Sequence, residues 1–118
     1  MDKRDDEKAW YYDDEDKFYE ESVGRIREAV AEKGSPFEEA VAALGIGDEK
    51  LRSAIEDDAL KVLIAELHFM GKKPLEDLAR SFRLPAKRLK KAREEMVADI
   101  KQAAIDAYKS SLGQGGNA

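Results

Sequence analysis

One stretch of this chain occurs twice, 38 residues apart, and that limits the available folds more than any other feature. Residues 36–56 lie over residues 74–94 with five identities: Pro36/Pro74, Glu38/Glu76, Leu51/Leu89, Ala54/Ala92 and Glu56/Glu94. Five further pairs stay apolar or small: Phe37/Leu75, Ala40/Leu78, Val41/Ala79, Leu44/Phe82 and Ile46/Leu84. Apolar residues three and four apart, a short interruption, then the same spacing again predict a short helix, a tight turn and a second helix. The chain is therefore expected to hold two pseudo-repeated three-helix units, repeat one over 19–56 and repeat two over 57–94, with a helical extension to about 109.

Helix-forming residues dominate and β-branched ones are sparse, so the expected fold class is all-α, a single small domain of about six helices over 15–109. With no cysteine among 118 residues, neither a disulfide framework nor a thiolate zinc site can form. The longest apolar run, Val62-Leu63-Ile64-Ala65, is too short for a bilayer, and the charged N-terminus offers no signal-peptide core. A cytoplasmic location is the expectation that follows.

The boundaries can be read from caps and breakers. Residues 1–14 are acidic and without period, and are expected to form a mobile arm. A first helix runs from about Glu15 to Lys33, with Phe18, Ser22, Ile26, Ala29 and Val30 on one face, and Gly34 ends it. Ser35-Pro36-Phe37-Glu38 reads as a capping box opening helix two, which Gly45 stops. Helix three is expected from Asp48 to about Asp57, and a separate helix four from Asp58 to Met70. Its stripe of Leu60, Leu63, Ile64 and Leu67, with Val62 and Phe69 beside it, marks a central buried element. Gly71 closes it, Pro74 opens helix five, a last helix is expected from about Pro85 to Tyr108 or beyond, and 110–118 reads as a disordered Gly-rich tail.

Charge is segregated along the chain. Residues 1–22 carry ten acidic and four basic side chains, net −6, whereas 71–93 carry nine basic and two acidic, net +7, within a total of −5. The nine are Lys72, Lys73, Arg80, Arg83, Lys87, Arg88, Lys90, Lys91 and Arg93, so the basic block coincides with the second repeat.

The second repeat resembles the helix-turn-helix of bacterial and phage DNA-binding regulators over Leu75–Glu94. Ala79 stands where that pattern wants a small residue, and Leu78, Phe82, Leu84, Leu89 and Ala92 stand at its apolar positions. It departs at Arg83, where the pattern usually has glycine; the first repeat has that glycine, Gly45, but carries Val41 at the small position. The resemblance implies a recognition helix over Ala86–Glu94, with Ala86, Lys87, Lys90 and Lys91 toward the major groove and Lys72, Lys73 and Arg80 on flanking phosphates. Arg88 or Arg93 would read a guanine only if turned toward the groove. Lysine neutralises phosphate well and reads bases poorly, so backbone contacts are expected to dominate.

The function expected on this basis is that of a DNA-binding transcriptional or nucleoid-type regulator. The plainer alternative is that the basic run is only a solvated helix face. The first repeat offers Asp48, Glu49, Lys50, Arg52, Glu56 and Asp57 at the equivalent helix; that set would repel phosphate and suits a scaffold or a protein contact. Trp10, Tyr11 and Tyr12, set among acids, could cover the core's edge, compete with DNA for the basic repeat, or bind a protein partner, and a non-enzymatic adaptor is the competing function. Asp13, Asp14, Glu15 and Asp16 lack the spacing and glycine of a calcium loop, and no metal or other cofactor is expected. His68, the single histidine, has no nucleophile beside it and reads as a core-edge residue, and with no phosphate loop or nucleophile elbow no catalytic residue is expected. Met96, Val97, Ile100, Ala104, Ala107 and Tyr108 recur at helical spacing, either packed on the same chain or forming a homodimer seam.

Overall fold

The computed structural model describes the backbone of residues 3–115 and the side chains of 16–112. Five helices make up the described fold, with no strand among these residues: α1 (Lys3–Ala31), α2 (Phe37–Ala42), α3 (Glu49–Ile64), α4 (Leu75–Phe82) and α5 (Ala86–Gly115). α3 does not stop at Ile64 but winds on through a π-helical turn, Ala65–Met70. α1 packs on α2 and α3, α3 packs on α5, and α4 lies against α5 and the π turn.

The core follows the apolar periods. Ile26 and Val30 of α1, Phe37, Ala40 and Val41 of α2, and Ile55, Ala59, Leu60, Leu63 and Ile64 of α3 are buried together with Leu78, Ala79, Phe82, Leu84, Leu89 and Ala92. Each fully buried Leu, Ile or Phe among them contributes about 1.5–3 kcal/mol of transfer free energy. Phe18 stands outside this core at 49% exposure, and its neighbour Tyr19 turns inward in its place.

Several expected boundaries move. The break between a third and a fourth helix at Asp57-Asp58 does not occur, because both carboxylates find partners that leave the helix intact: Asp57 pairs with Lys61 one turn on, and Asp58 accepts a hydrogen bond from Tyr19. α1 begins at Lys3, well ahead of Glu15, so the acidic arm continues the helix. α5 runs to Gly115, so most of the Gly-rich tail is helical, and 116–118 lie outside the described residues. Nor does Ser35 cap α2. Its N–H closes the end of α1 on the Ala29 carbonyl, and the N-cap is Pro36, without a side-chain bond. The side-chain cap belongs to Asp48, which accepts from the Leu51 N–H at 3.0 Å and starts α3. Val62 and Phe69 of the central helix are exposed, unlike Leu60, Leu63 and Ile64.

α1 is clamped to the π turn by Arg27, whose Nε and Nη2 donate to the two oxygens of Glu66 at 2.7 and 2.6 Å. This bidentate pair draws the Glu66 carboxyl below its usual range and raises Arg27. Lys61, raised chiefly by its bond to Asp57 and then by Glu95, pairs with Asp57 one turn back in α3 at 3.0 Å and ties α3 to α5 through Glu95 at 3.1 Å. Among the described residues no helix is long and apolar enough to cross a membrane.

Among the described residues four have a positive φ: Gly34 (72°), Gly45 (63°), Lys72 (59°) and Arg83 (57°). A non-glycine side chain in this region costs about 1 kcal/mol.

Candidate nucleic-acid interface

The basic residues lie on four consecutive pieces: the loop after Gly71, α4, the turn at Arg83, and the first turns of α5. α4 buries Leu78, Ala79 and Phe82 and leaves Arg80 outside, where it pairs with Asp77. The turn then buries Leu84, which anchors the start of α5 on the core. In α5, Leu89 and Ala92 are buried and Met96 packs against the core, three and four residues apart, so Lys87, Lys90, Lys91 and Glu94 share the opposite, exposed face. Seven of the nine basic residues are exposed: Lys72, Lys73, Arg80, Arg83, Lys87, Lys90 and Lys91.

The other two are held by the body. Arg88 lies with its guanidinium 5.3 Å from the centre of the Phe37 ring and 3.8 Å from Glu56, so the second half of the chain is tied to the first. Arg93 donates from Nε to His68 Nε2 at 3.1 Å and covers the Phe69 ring at 5.6 Å. His68 Nδ1 is 2.8 Å from the Lys73 carbonyl, which can only accept. The tautomer that satisfies both contacts carries its proton on Nδ1, which donates to the Lys73 carbonyl, and leaves Nε2 to accept from Arg93. This relay holds the loop carrying Lys72 and Lys73 against α5. Arg88 and Arg93 thus serve as braces within the fold, and His68, a core-edge residue by its sequence position, is the link between loop and helix. No spacing in the sequence marks that role, because His68, Lys73 and Arg93 meet only when the π turn brings them together.

Beside the relay is a groove of about 520 Å³ lined by His68, Pro74, Leu75, Glu76, Lys90, Arg93 and Glu94. Glu76 and Glu94 offset its cations, so it is no concentrated anion pocket. In α3, Glu56 is engaged with Arg88, Asp57 with Lys61, and Asp48 with its own helix N-terminus. Among the described residues no group of three or more His, Asp or Glu is placed to hold a metal ion. The side chains of Trp10, Tyr11, Tyr12, Asp13, Asp14 and Glu15 lie outside the described residues. Compared with family models, curated proteins and solved structures, the chain matches none of them.

Proposed function

We propose that this chain is a DNA-binding protein of transcriptional-regulator or nucleoid type, built from two helix-turn-helix-like units of which the second grips the duplex and the first braces it. The observation that carries the reading is the face of α5 on which Lys87, Lys90 and Lys91 stand exposed, directly opposite buried Leu89 and Ala92. Lys72, Lys73, Arg80 and Arg83 extend the positive surface to both ends of α4. Its chemistry favours phosphate over base edges. Lysine ammonium groups act as point charges, and Arg88 and Arg93, able to pair bidentately with guanine, are engaged within the fold. The acids of α3 oppose binding by the first unit, whose part is to receive Arg88 on Phe37 and Glu56.

The test is fluorescence anisotropy of a labelled random duplex across a salt series, with wild type and the Lys87→Glu, Lys91→Glu double variant. Wild-type affinity should fall steeply with salt, with a log–log slope of about −0.9 per phosphate neutralised. The variant should lose binding while keeping its helicity and Tm, since both side chains are exposed. A folded double variant that binds as wild type would remove α5 from the interface.

A further inference from the structure

The four left-handed residues fall into two pairs 38 residues apart, Gly34 with Lys72 and Gly45 with Arg83. The backbone around them corresponds as well. Lys33 N–H to the Glu28 carbonyl and Ser35 N–H to the Ala29 carbonyl have counterparts in Gly71 to Glu66 and Lys73 to Leu67. Gly45 N–H to the Ala42 carbonyl has its counterpart in Arg83 to Arg80. Equivalent turns are thus made once with the residue that adopts a positive φ freely, and once with long cations that adopt it under strain.

Neither room nor internal bonding accounts for this difference. A Cβ placed on Gly34 or Gly45 would meet no heavy atom within 4 Å, so those glycines serve backbone conformation alone. Lys72 and Arg83 are exposed, and within the described residues neither side chain has a hydrogen-bond or ion-pair partner. Strain kept without an internal return marks side chains that act on something outside the fold.

We propose that Lys72 and Arg83 are phosphate-binding residues that hold the backbone of a duplex nucleic acid at the two ends of α4. They flank a helix of eight residues, about 12 Å long, close to the width of a duplex major groove at about 12 Å. Each can neutralise a phosphate and release its condensed counterion. The inference rests on the nucleic-acid reading above and adds to it which residues bear the backbone contacts.

Lys72→Gly and Arg83→Gly separate the two roles of each position, with Arg83→Lys as the variant that keeps the charge. Each glycine variant should raise Tm, by about 4 °C, because the turn strain is relieved. In the anisotropy salt series each should also reduce the steepness of the log–log slope by about 0.9 and weaken binding at low salt, whereas Arg83→Lys keeps both near wild type. A glycine variant that gains stability yet binds with the wild-type slope overturns the proposal and leaves the DNA reading standing. A glycine variant that melts lower than wild type overturns its premise of strain. Wild type that binds no duplex at low salt takes down the nucleic-acid reading itself, and that is seen before any variant is made.

Discussion

Tyr19 carries the polar contact between α1 and α3. Its hydroxyl donates to the Asp58 carboxylate and lies 3.1 Å from the Ala54 carbonyl. Burial first, and then the Asp58 carboxylate, push its pKa up from 10.0 to about 12. The sign follows from which state releases the proton first. The unfolded chain ionises near the ordinary tyrosine value of 10.0 while the folded one still holds the proton, so this contribution is intact below about pH 10 and is lost as pH rises toward about 12. Tyr19→Phe should cost about 1 kcal/mol at neutral pH, since Asp58 loses its donor. It should also flatten the alkaline fall in Tm followed by circular dichroism from about pH 8 to about pH 12. Parallel curves for the two proteins would show that Tyr19 is not the group being titrated.

At the scale of the element, the π turn decides how the two halves of the chain meet. Its wider winding brings His68 to Arg93 and Glu66 to Arg27 while turning Met70 outward. Gly71 ends it with the Glu66 carbonyl bonded to its N–H, and an added Cβ would come within 2.7 Å of the Leu67 carbonyl oxygen. That neighbour is backbone and cannot step aside. Gly71→Ala should therefore cost about 2 kcal/mol by urea denaturation. Gly45→Ala, strained in φ but with open space around it, should cost about 1 kcal/mol. The reverse order would mean that the turn yields to the methyl group. The apolar stripes of α4 and α5 were legible because Leu78 and Phe82, and then Leu89 and Ala92, recur at helical spacing and are indeed buried. The continuity of α3 was not, because two adjacent aspartates resemble a helix start unless Tyr19, 39 residues away in sequence, is known to meet one of them. The candidate interface divides in the same way: charge clustering pointed to the nine cations together, and only packing separates the seven exposed ones from Arg88 and Arg93.

At the scale of the molecule, the radius of gyration of 18.4 Å exceeds the roughly 13.5 Å of a compact domain of this length. The excess comes from two helices of 29 and 30 residues, each about 44 Å long, that outrun the core they help to form. On α5 the apolar stripe packs on the core through Met96, and Val97 is half-buried; beyond them, every residue from 98 to 112 is exposed, with Ile100 at 64% and Tyr108 at 66%. An exposed overhang adds nothing to core burial, and all nine cations of the candidate interface precede it. A chain ending at Val97 should therefore melt within about 2 °C of the full chain in dilute solution and keep its salt-dependent duplex binding. If the full chain instead melts higher as its concentration is raised while the shortened one does not, the stripe is paired with a second copy. The stability of the single chain and that of a pair would then be separate quantities, the first set by the core and the second by Ile100, Ala104, Ala107 and Tyr108.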